Sequence, residues 1–192
     1  MSALALRVPE QRRRLGLKGP RAAQWLAEQG VPLPTISNTW TRPDGVAATE
    51  ALLVARLGTA EFFLEDCPAG TTIKRISPFL EEYPSGVYPV MREDWAFVLG
   101  GERVHEVLAQ VCNVNFAALS LDSHPVIMTL MIGVAVLVVP HSARENTGEP
   151  GGGAEAGRYY RMWCDPTFGP YMGESLGAVV IECGGSYTGV PG

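Results

Sequence analysis

The feature that most constrains this chain is a segment that occurs twice. Residues 15–31 read LGLKGPRAAQWLAEQGV, residues 97–113 read FVLGGERVHEVLAQVCN, and the two share five identical positions at a spacing of 82 residues. In each copy a short apolar run ends at a glycine, which permits the backbone angles of a tight turn, and an amphipathic helix follows. The pattern predicts two strand–turn–helix units that each cover a sheet. We interpret it as a duplication, and two unrelated units of the same kind are the alternative.

The spacing of apolar residues identifies the face that each predicted helix buries. These residues are Ala22, Trp25 and Leu26 in the first copy and Val104, Val107, Leu108 and Val111 in the second. Polar residues fall on the opposite sides, namely Arg21, Gln24 and Glu28, then Arg103, Glu106 and Gln110. Both helices are therefore predicted to be half-buried.

Two hairpins and two further helices complete the predicted elements. The first hairpin pairs residues 51–56 with 61–65, and the second pairs residues 126–130 with 134–139. One helix runs from Thr71 to about Leu80, and the other runs from Phe168 or Pro170 to Glu182. Extended chain is predicted over residues 87–99 and 158–164. The second hairpin is apolar throughout, which predicts that both its strands are central and covered on both faces. In the last helix Gly169, Gly173 and Gly177 line one stripe, where another backbone can approach closely.

The remaining segments are predicted to be irregular. We expect loose structure in residues 1–14, a polar connecting loop around Trp40, and a flexible loop over residues 141–157, which contain Gly-Gly-Gly and no apolar cluster. The order of elements predicts an α+β fold, a duplicated pseudo-twofold unit with helices on a mainly antiparallel sheet. We predict one domain over residues 1–192, with halves at about 1–86 and 87–184 and a tail at 185–192.

Composition excludes several classes of function. A chain of 192 residues that is 46% hydrophobic can bury a sizeable core, and its formal charge of −5 argues against nucleic acid or an anionic membrane as partner. The apolar run Val126–Val139 is shorter than the ~20 residues that span a bilayer. Four separated cysteines and no secretory leader pattern predict a cytoplasmic protein whose thiols are buried in the core.

No catalytic or metal site is predicted from the motifs. Asp122, Ser123 and His124 are the residue types of a hydrolytic triad, but side chains of adjacent residues cannot converge. The three histidines lie apart, without the spacing of metal ligands. Lys18-Gly19-Pro20 and Gly100-Gly101 lack the spacing of phosphate-binding loops.

Aromatic and charged residues at strand ends suggest a binding surface instead. Arg92 and Asp94 lie just before Trp95, and Arg161 and Asp165 flank Trp163. This arrangement suits either a polar ligand or a protein interface, and we favour the interface. The candidate subunit-interface residues are Trp40, Arg92, Trp95, Arg161, Trp163, Phe168 and Tyr171.

Four segments resemble the gamma subunit of heterotetrameric sarcosine oxidase. They are GLKGPRAAQWL (16–26), LGGERVHEVL (99–108), ARLGTAEFFLE (55–65) and RMWCDPTFGPY (161–171). That family is similar in turn to the folate-binding part of the glycine-cleavage T protein, an aminomethyltransferase with a duplicated α+β unit. The resemblance covers about Leu15 to Gly184 and implies a T-protein-like fold.

The resemblance also implies a function. It indicates a small, non-catalytic subunit of a cytoplasmic oxidoreductase that demethylates sarcosine and transfers the one-carbon unit to tetrahydrofolate. The alpha and beta subunits, with a delta subunit also possible, would carry FAD, FMN, NAD and tetrahydrofolate, and this chain alone would bind none of them. Related complexes act on other N-methyl amino acids, so the substrate cannot be read from this chain. The alternatives are a stand-alone folate-binding one-carbon transferase and a structural adaptor.

Overall fold

The structure, a computed structural model, describes residues 3–42, 52–142 and 158–189. Within these ranges the strands are β1 (Ala5–Arg7), β2 (Arg14–Lys18), β3 (Thr39–Thr41), β4 (Leu53–Arg56), β5 (Glu61–Glu65), β6 (Tyr88–Val90), β7 (Trp95–Gly100), β8 (Ile127–Met131), β9 (Val134–His141), β10 (Tyr159–Cys164) and β11 (Ser186–Thr188). The helices are α1 (Ala22–Glu28), α2 (Thr72–Leu80), α3 (Val104–Val111) and α4 (Gly169–Glu182), and short 3₁₀ turns cover Phe116–Ala118 and Pro166–Phe168. No helix in the described ranges is long and apolar enough to cross a membrane.

The chain forms two compact units. The first unit consists of residues 11–42, 52–93 and 124–126, and its sheet has the order β3-β4-β5-β2-β6 with every pair antiparallel. Helices α1 and α2 bury apolar side chains against one face of this sheet, among them Leu26 and Ile76 against Leu17 and Phe62. The sequence predicted one domain with halves divided near residue 86. This division stays a prediction.

The second unit consists of residues 3–10, 94–123, 127–142 and 158–189. Its sheet has the order β11-β1-β7-β10-β9-β8, and its pairs are antiparallel except for the parallel pair of β1 and β11. Helices α3 and α4 contribute Leu108 and Leu176 to a core that includes Leu99 and Tyr160. The predicted α+β fold with helices on mainly antiparallel sheets is confirmed.

The two sheets share one pairing register. Leu17 of β2 lies opposite Phe62 of β5 and Pro89 of β6. At the corresponding place in the second unit, Leu99 of β7 lies opposite Tyr160 of β10 and Leu6 of β1. The next pairs also correspond, since Val54 lies opposite Leu64 in β4 and β5 and Val138 lies opposite Met162 in β9 and β10. The repeat seen in the sequence thus extends to strands that share no sequence pattern.

The repeated glycines have the same structural role in both units. Gly19 and Gly101 both have positive φ angles, of 126° and 119°, at the turn from strand to helix. A Cβ on Gly19 would lie 2.3 Å from the Gly86 carbonyl oxygen, and one on Gly101 would lie 2.6 Å from the Ala3 carbonyl oxygen. Only glycine combines these angles with so close an approach of a neighbouring backbone.

Among the described residues, the sheet of the first unit ends at β6, whereas the sheet of the second unit continues from β1 to β11. In the second unit the Leu4 carbonyl oxygen accepts from the Ser186 N–H at 3.0 Å, and the Val8 N–H donates to the Thr188 carbonyl oxygen at 3.2 Å. The backbone groups of alternate residues of β1, including Leu6, therefore point toward β11. Pro89 of β6 occupies the position that Leu6 has in β1. Because proline has no N–H, the outer edge of β6 cannot pair in the same way.

Several predicted irregular segments form strands. Residues 5–7 and residues 186–188 were expected in a loose arm and a tail, but they form β1 and β11, paired with each other. Trp40 was expected in a loop, but it lies in β3 opposite Ala55. These strands are only three residues long, too short to show an alternating pattern in the sequence. The flexible loop predicted for 141–157 begins too early, because His141 ends β9, and its residues 143–157 lie outside the described residues.

The prediction that both strands of the second hairpin are central is half wrong. Strand β9 is interior, but β8 is at the edge of its sheet and exposes Met128 and Leu130.

The prediction for the glycine stripe of α4 also needs a correction, because aromatic rings rather than a backbone approach it. A Cβ on Gly169 would meet the Trp95 ring at 2.5 Å, and one on Gly177 would meet the Tyr187 ring at 2.6 Å.

Candidate functional site

Three of the predicted interface residues are buried. Trp40, Arg161 and Trp163 are each no more than 3% exposed within the chain itself. The Arg161 guanidinium lies over the Trp163 ring, 5.4 Å from its centroid, and Trp40 contacts the His124 ring edge-on at 5.0 Å. The rings and alkyl stems of these three side chains pack inside the protein, and their role in a subunit interface stays a prediction.

Two other predicted interface residues are exposed at the start of α4. Phe168 and Tyr171 are 48% and 47% exposed, and the Tyr171 hydroxyl donates to the Ile132 carbonyl at 3.2 Å. Asp165 begins the 3₁₀ turn before α4, where its carboxylate accepts from the Thr167 N–H at 2.9 Å and from the Thr167 hydroxyl. These hydrogen bonds lower the pKa of Asp165. The surface formed by Phe168 and Tyr171 is therefore held on an ordered turn.

Trp95 and Arg92 occupy different units. Trp95 begins β7 in the second unit and lies half-buried under Gly169. Arg92 belongs to the first unit, where its Nη2 lies 3.4 Å from Glu61 Oε1 and its guanidinium lies 5.7 Å from the centroid of the Phe63 ring. Their role in a subunit interface stays a prediction.

An open cavity of about 350 Å³ lies at one end of the first unit's sheet. Its polar lining is a row of three side chains on adjacent strands, in which Lys18 of β2 lies opposite Glu61 of β5 and opposite Tyr88 of β6. Its remaining wall is the turn from Gly58 to Ala60, together with Gly19. Because Leu17 and Phe62 face the helices, alternation places this row on the other face of the sheet.

The charges of this row are only partly matched. The Glu61 carboxylate is paired with Arg92, whereas the ammonium of Lys18 and the hydroxyl of Tyr88 have no hydrogen-bond or ion-pair partner among the described residues. Sequence analysis missed this row because it depends on the register of three strands. We call Lys18, Glu61 and Tyr88 the cross-strand row.

Buried charged groups of the first unit hold its own strands and helices. Arg14 Nε lies 2.5 Å from Glu65 Oε2, directly across β2 and β5, and Arg12 Nη1 lies 3.8 Å from Glu65 Oε1. Asp66 accepts from the Ile73 N–H at 3.0 Å and so caps α2. Burial raises the pKa of Asp66, and hydrogen bonds from the helix backbone oppose that shift. The side chain of Thr71, the residue before α2, makes no capping hydrogen bond.

His105 and Tyr160 form a polar pair in the second unit. His105 Nε2 lies 2.7 Å from the Tyr160 hydroxyl, and the Phe116 ring packs edge-on against Tyr160 at 5.3 Å. Burial, and then the nearby charge of Arg158, lowers the pKa of His105. Burial raises the pKa of Tyr160. Both shifts favour the neutral forms of the two side chains near pH 7.

The cysteines are buried, as the sequence predicted. All four are free thiols with little exposure. Burial, with the nearby charges of Asp94 and Asp165, raises the pKa of Cys164 to about 11, so this thiol is protonated at neutral pH and is a poor nucleophile. Among the residues that the structure describes, no three His, Cys, Asp or Glu side chains form a group that could hold a metal ion.

The fold and its repeated register define a class of protein with two α+β units, each with a mainly antiparallel sheet covered by two helices. Solved structures share it. A heterotetrameric sarcosine oxidase from Corynebacterium sp. U-96, in complex with pyrrole 2-carboxylate, is similar with a TM-score of 0.68 and 20% sequence identity, over 94% of this chain and 85% of that chain. The glycine cleavage system aminomethyltransferase T from Bartonella henselae is similar with a TM-score of 0.65 and 12% identity, over 98% of this chain.

The chain spans 48% of the aminomethyltransferase, about half of its length. The sequence matches no protein-family model, and a search of curated proteins found no match. The two structures confirm the T-protein-like fold that the sequence resemblance implied. At these identities the likeness concerns the fold.

Proposed function

We propose that this chain is the gamma, non-catalytic subunit of a sarcosine-oxidase-like complex that oxidatively demethylates an N-methyl amino acid. The observation that carries the proposal is the extent of the structural match. The chain overlaps 85% of a chain in a heterotetrameric sarcosine oxidase, so the two are of similar length, whereas it overlaps only half of the aminomethyltransferase. A small subunit of such a complex accounts for both overlaps.

The proposal assigns the redox and folate chemistry to the partners. The alpha and beta subunits, with a delta subunit possible, would carry FAD, FMN, NAD and tetrahydrofolate, and this chain would contribute binding surface. The exposed aromatic surface of Phe168 and Tyr171 supports such a contribution, because aromatic side chains dominate the binding energy of protein interfaces.

Co-expression tests the proposal. The chain is expressed with the alpha and beta chains of a sarcosine-oxidase-like complex, and the mixture is analysed by size-exclusion chromatography. We expect one complex that contains all three chains. Combined replacement of Phe168 and Tyr171 by serine should weaken the complex at least tenfold, whereas Ile36→Ser, at an exposed position of the first unit, should leave it intact. A chain that stays separate from both partners contradicts the proposal.

A stand-alone one-carbon transferase is the second candidate, because the aminomethyltransferase has the same fold. Titration of the isolated chain with tetrahydrofolate distinguishes the two. Micromolar binding together with methylene transfer would favour the transferase. No binding by the isolated chain, with assembly into a larger complex, is the result expected for a subunit.

A further inference from the structure

The cross-strand row in the first unit has a chemical character that the fold does not require. In the second unit the same three positions are occupied by Gly100, opposite Tyr159 and Ala5. That unit forms the same ladder with the same register and has no charge there. The lysine and the glutamate of the first unit are therefore not needed to pair these strands.

The row presents opposite charges side by side. Residues directly opposite in an antiparallel sheet have Cβ atoms about 4.5–5.5 Å apart, so the Lys18 ammonium and the Glu61 carboxylate project from neighbouring points. The Lys18 ammonium and the Tyr88 hydroxyl have no partner among the described residues, so both can bind a ligand carboxylate. Glu61, 47% exposed, can accept from a ligand ammonium group beside it.

The walls of the cavity leave room for a small molecule. Its volume of about 350 Å³ lies at the lower end of the range for small-molecule sites. Gly58 faces open space, since a Cβ built there would have only the Glu61 Cβ within reach, at 4.0 Å. The wall is therefore lined by small residues and backbone.

We propose that the cross-strand row and the turn at Gly58 bind a small amino-acid zwitterion, with its carboxylate on Lys18 and Tyr88 and its ammonium on Glu61. The cavity is open to solvent, so the affinity is weak, with a Kd on the order of 1 mM. Binding weakens as salt is added because the charges that hold the ligand are exposed. This inference is independent of the proposed role as a subunit.

NMR titration of the full chain tests the inference with three probes: glycine, acetate and methylammonium. Glycine should cause saturable shifts at the amides of Lys18, Gly58 and Tyr88, and the other two probes, which each carry one of the two charges, should bind at least tenfold more weakly. Absence of saturable shifts with glycine, or acetate binding as tightly as glycine, would overturn the proposal.

Variants identify the residues responsible. Lys18→Met and Gly58→Leu should each weaken glycine binding at least tenfold, the first by removing the ammonium and the second by filling the cavity. Lys74→Met, at an exposed position of α2, should have no effect. Glu61→Gln should bring glycine and acetate to similar affinities, because only the ammonium contact is lost. Glycine binding that survives both Lys18→Met and Gly58→Leu in a folded protein would show that the ligand lies elsewhere.

Discussion

Leu108 and Leu130 are the same side chain in opposite environments. Leu108 on α3 is 1% exposed, whereas Leu130 on the edge strand β8 is 62% exposed. Leu108→Ala should lower the free energy of unfolding by about 2–5 kcal/mol, because it leaves a cavity in the core. Leu130→Ala should change it by less than about 0.5 kcal/mol. Urea unfolding of both variants measures the difference, and equal effects would mean that the assigned helix face is wrong.

His105 should make stability depend on pH. Its pKa is lowered in the folded protein, so the unfolded chain binds more protons as the pH falls through about 6.5, and acid removes stability. The stability advantage of the wild type over His105→Gln should therefore shrink between pH 7.5 and pH 5.5. Urea unfolding at the two pH values measures it. An advantage that is constant or grows on acidification would show that His105 is not held neutral.

Residue burial was predictable from periodicity but not from residue type. The spacing of Trp25 and Leu26 in a helical pattern correctly placed them in the core. Trp40 and Trp163 lie beside polar residues, and the sequence suggested that they are exposed. Both are buried, Trp40 between partly exposed neighbours in β3 and Trp163 in the interior strand β10, in which every residue is buried.

The glycine stripe of α4 is an element-scale constraint. A Cβ at position 177 would lie 2.6 Å from the Tyr187 ring, so Gly177→Ala should destabilise the protein by about 1–3 kcal/mol through overpacking. With Tyr187→Ala in the background the same change should stabilise α4 by up to ~1 kcal/mol, because alanine favours helix. Thermal unfolding of the four proteins of this double-mutant cycle measures the coupling. Equal effects of Gly177→Ala in both backgrounds would exclude the ring contact.

Pro89 protects the open edge of β6. Pro89→Val would add an outward N–H to that edge, which should increase self-association through strand pairing. Tyr88→Val is the control, because it introduces the same residue at the neighbouring position. The backbone N–H of residue 88 points to the other side of the strand, so this variant should not increase self-association. Sedimentation velocity at several concentrations measures the change. A Pro89→Val variant that stays monomeric to the same concentration as the wild type would contradict this role.

At the scale of elements, the sequence predicted what local patterns encode. The four helices and both hairpins were predicted because helical periodicity and turn residues lie within a few positions of each other. The edge position of β8 was missed because sheet order depends on partners far along the chain. The cross-strand row was missed for the same reason, since Lys18, Glu61 and Tyr88 meet only through the register of three strands.

The N-terminal strand gives a prediction for the whole molecule. β1 lies between β7 and β11, so deletion of residues 1–10 should remove hydrogen-bond partners from both strands. Amide hydrogen exchange should then accelerate in β7 and β11, while β2 and β5 of the first unit keep their protection. Exchange that accelerates equally in both sheets would show that the deletion destabilises the whole protein rather than β7 and β11.

This placement of β1 also sets an order of events during synthesis. All strands and helices of the first unit lie within residues 11–93, so its sheet can form once that stretch has left the ribosome. β1 is made before the first unit, its partner β7 follows almost ninety residues later, and β11 follows β7 after a similar interval. β1 therefore waits unpaired while the first unit is made, and the sheet of the second unit is complete only when β11 pairs with β1.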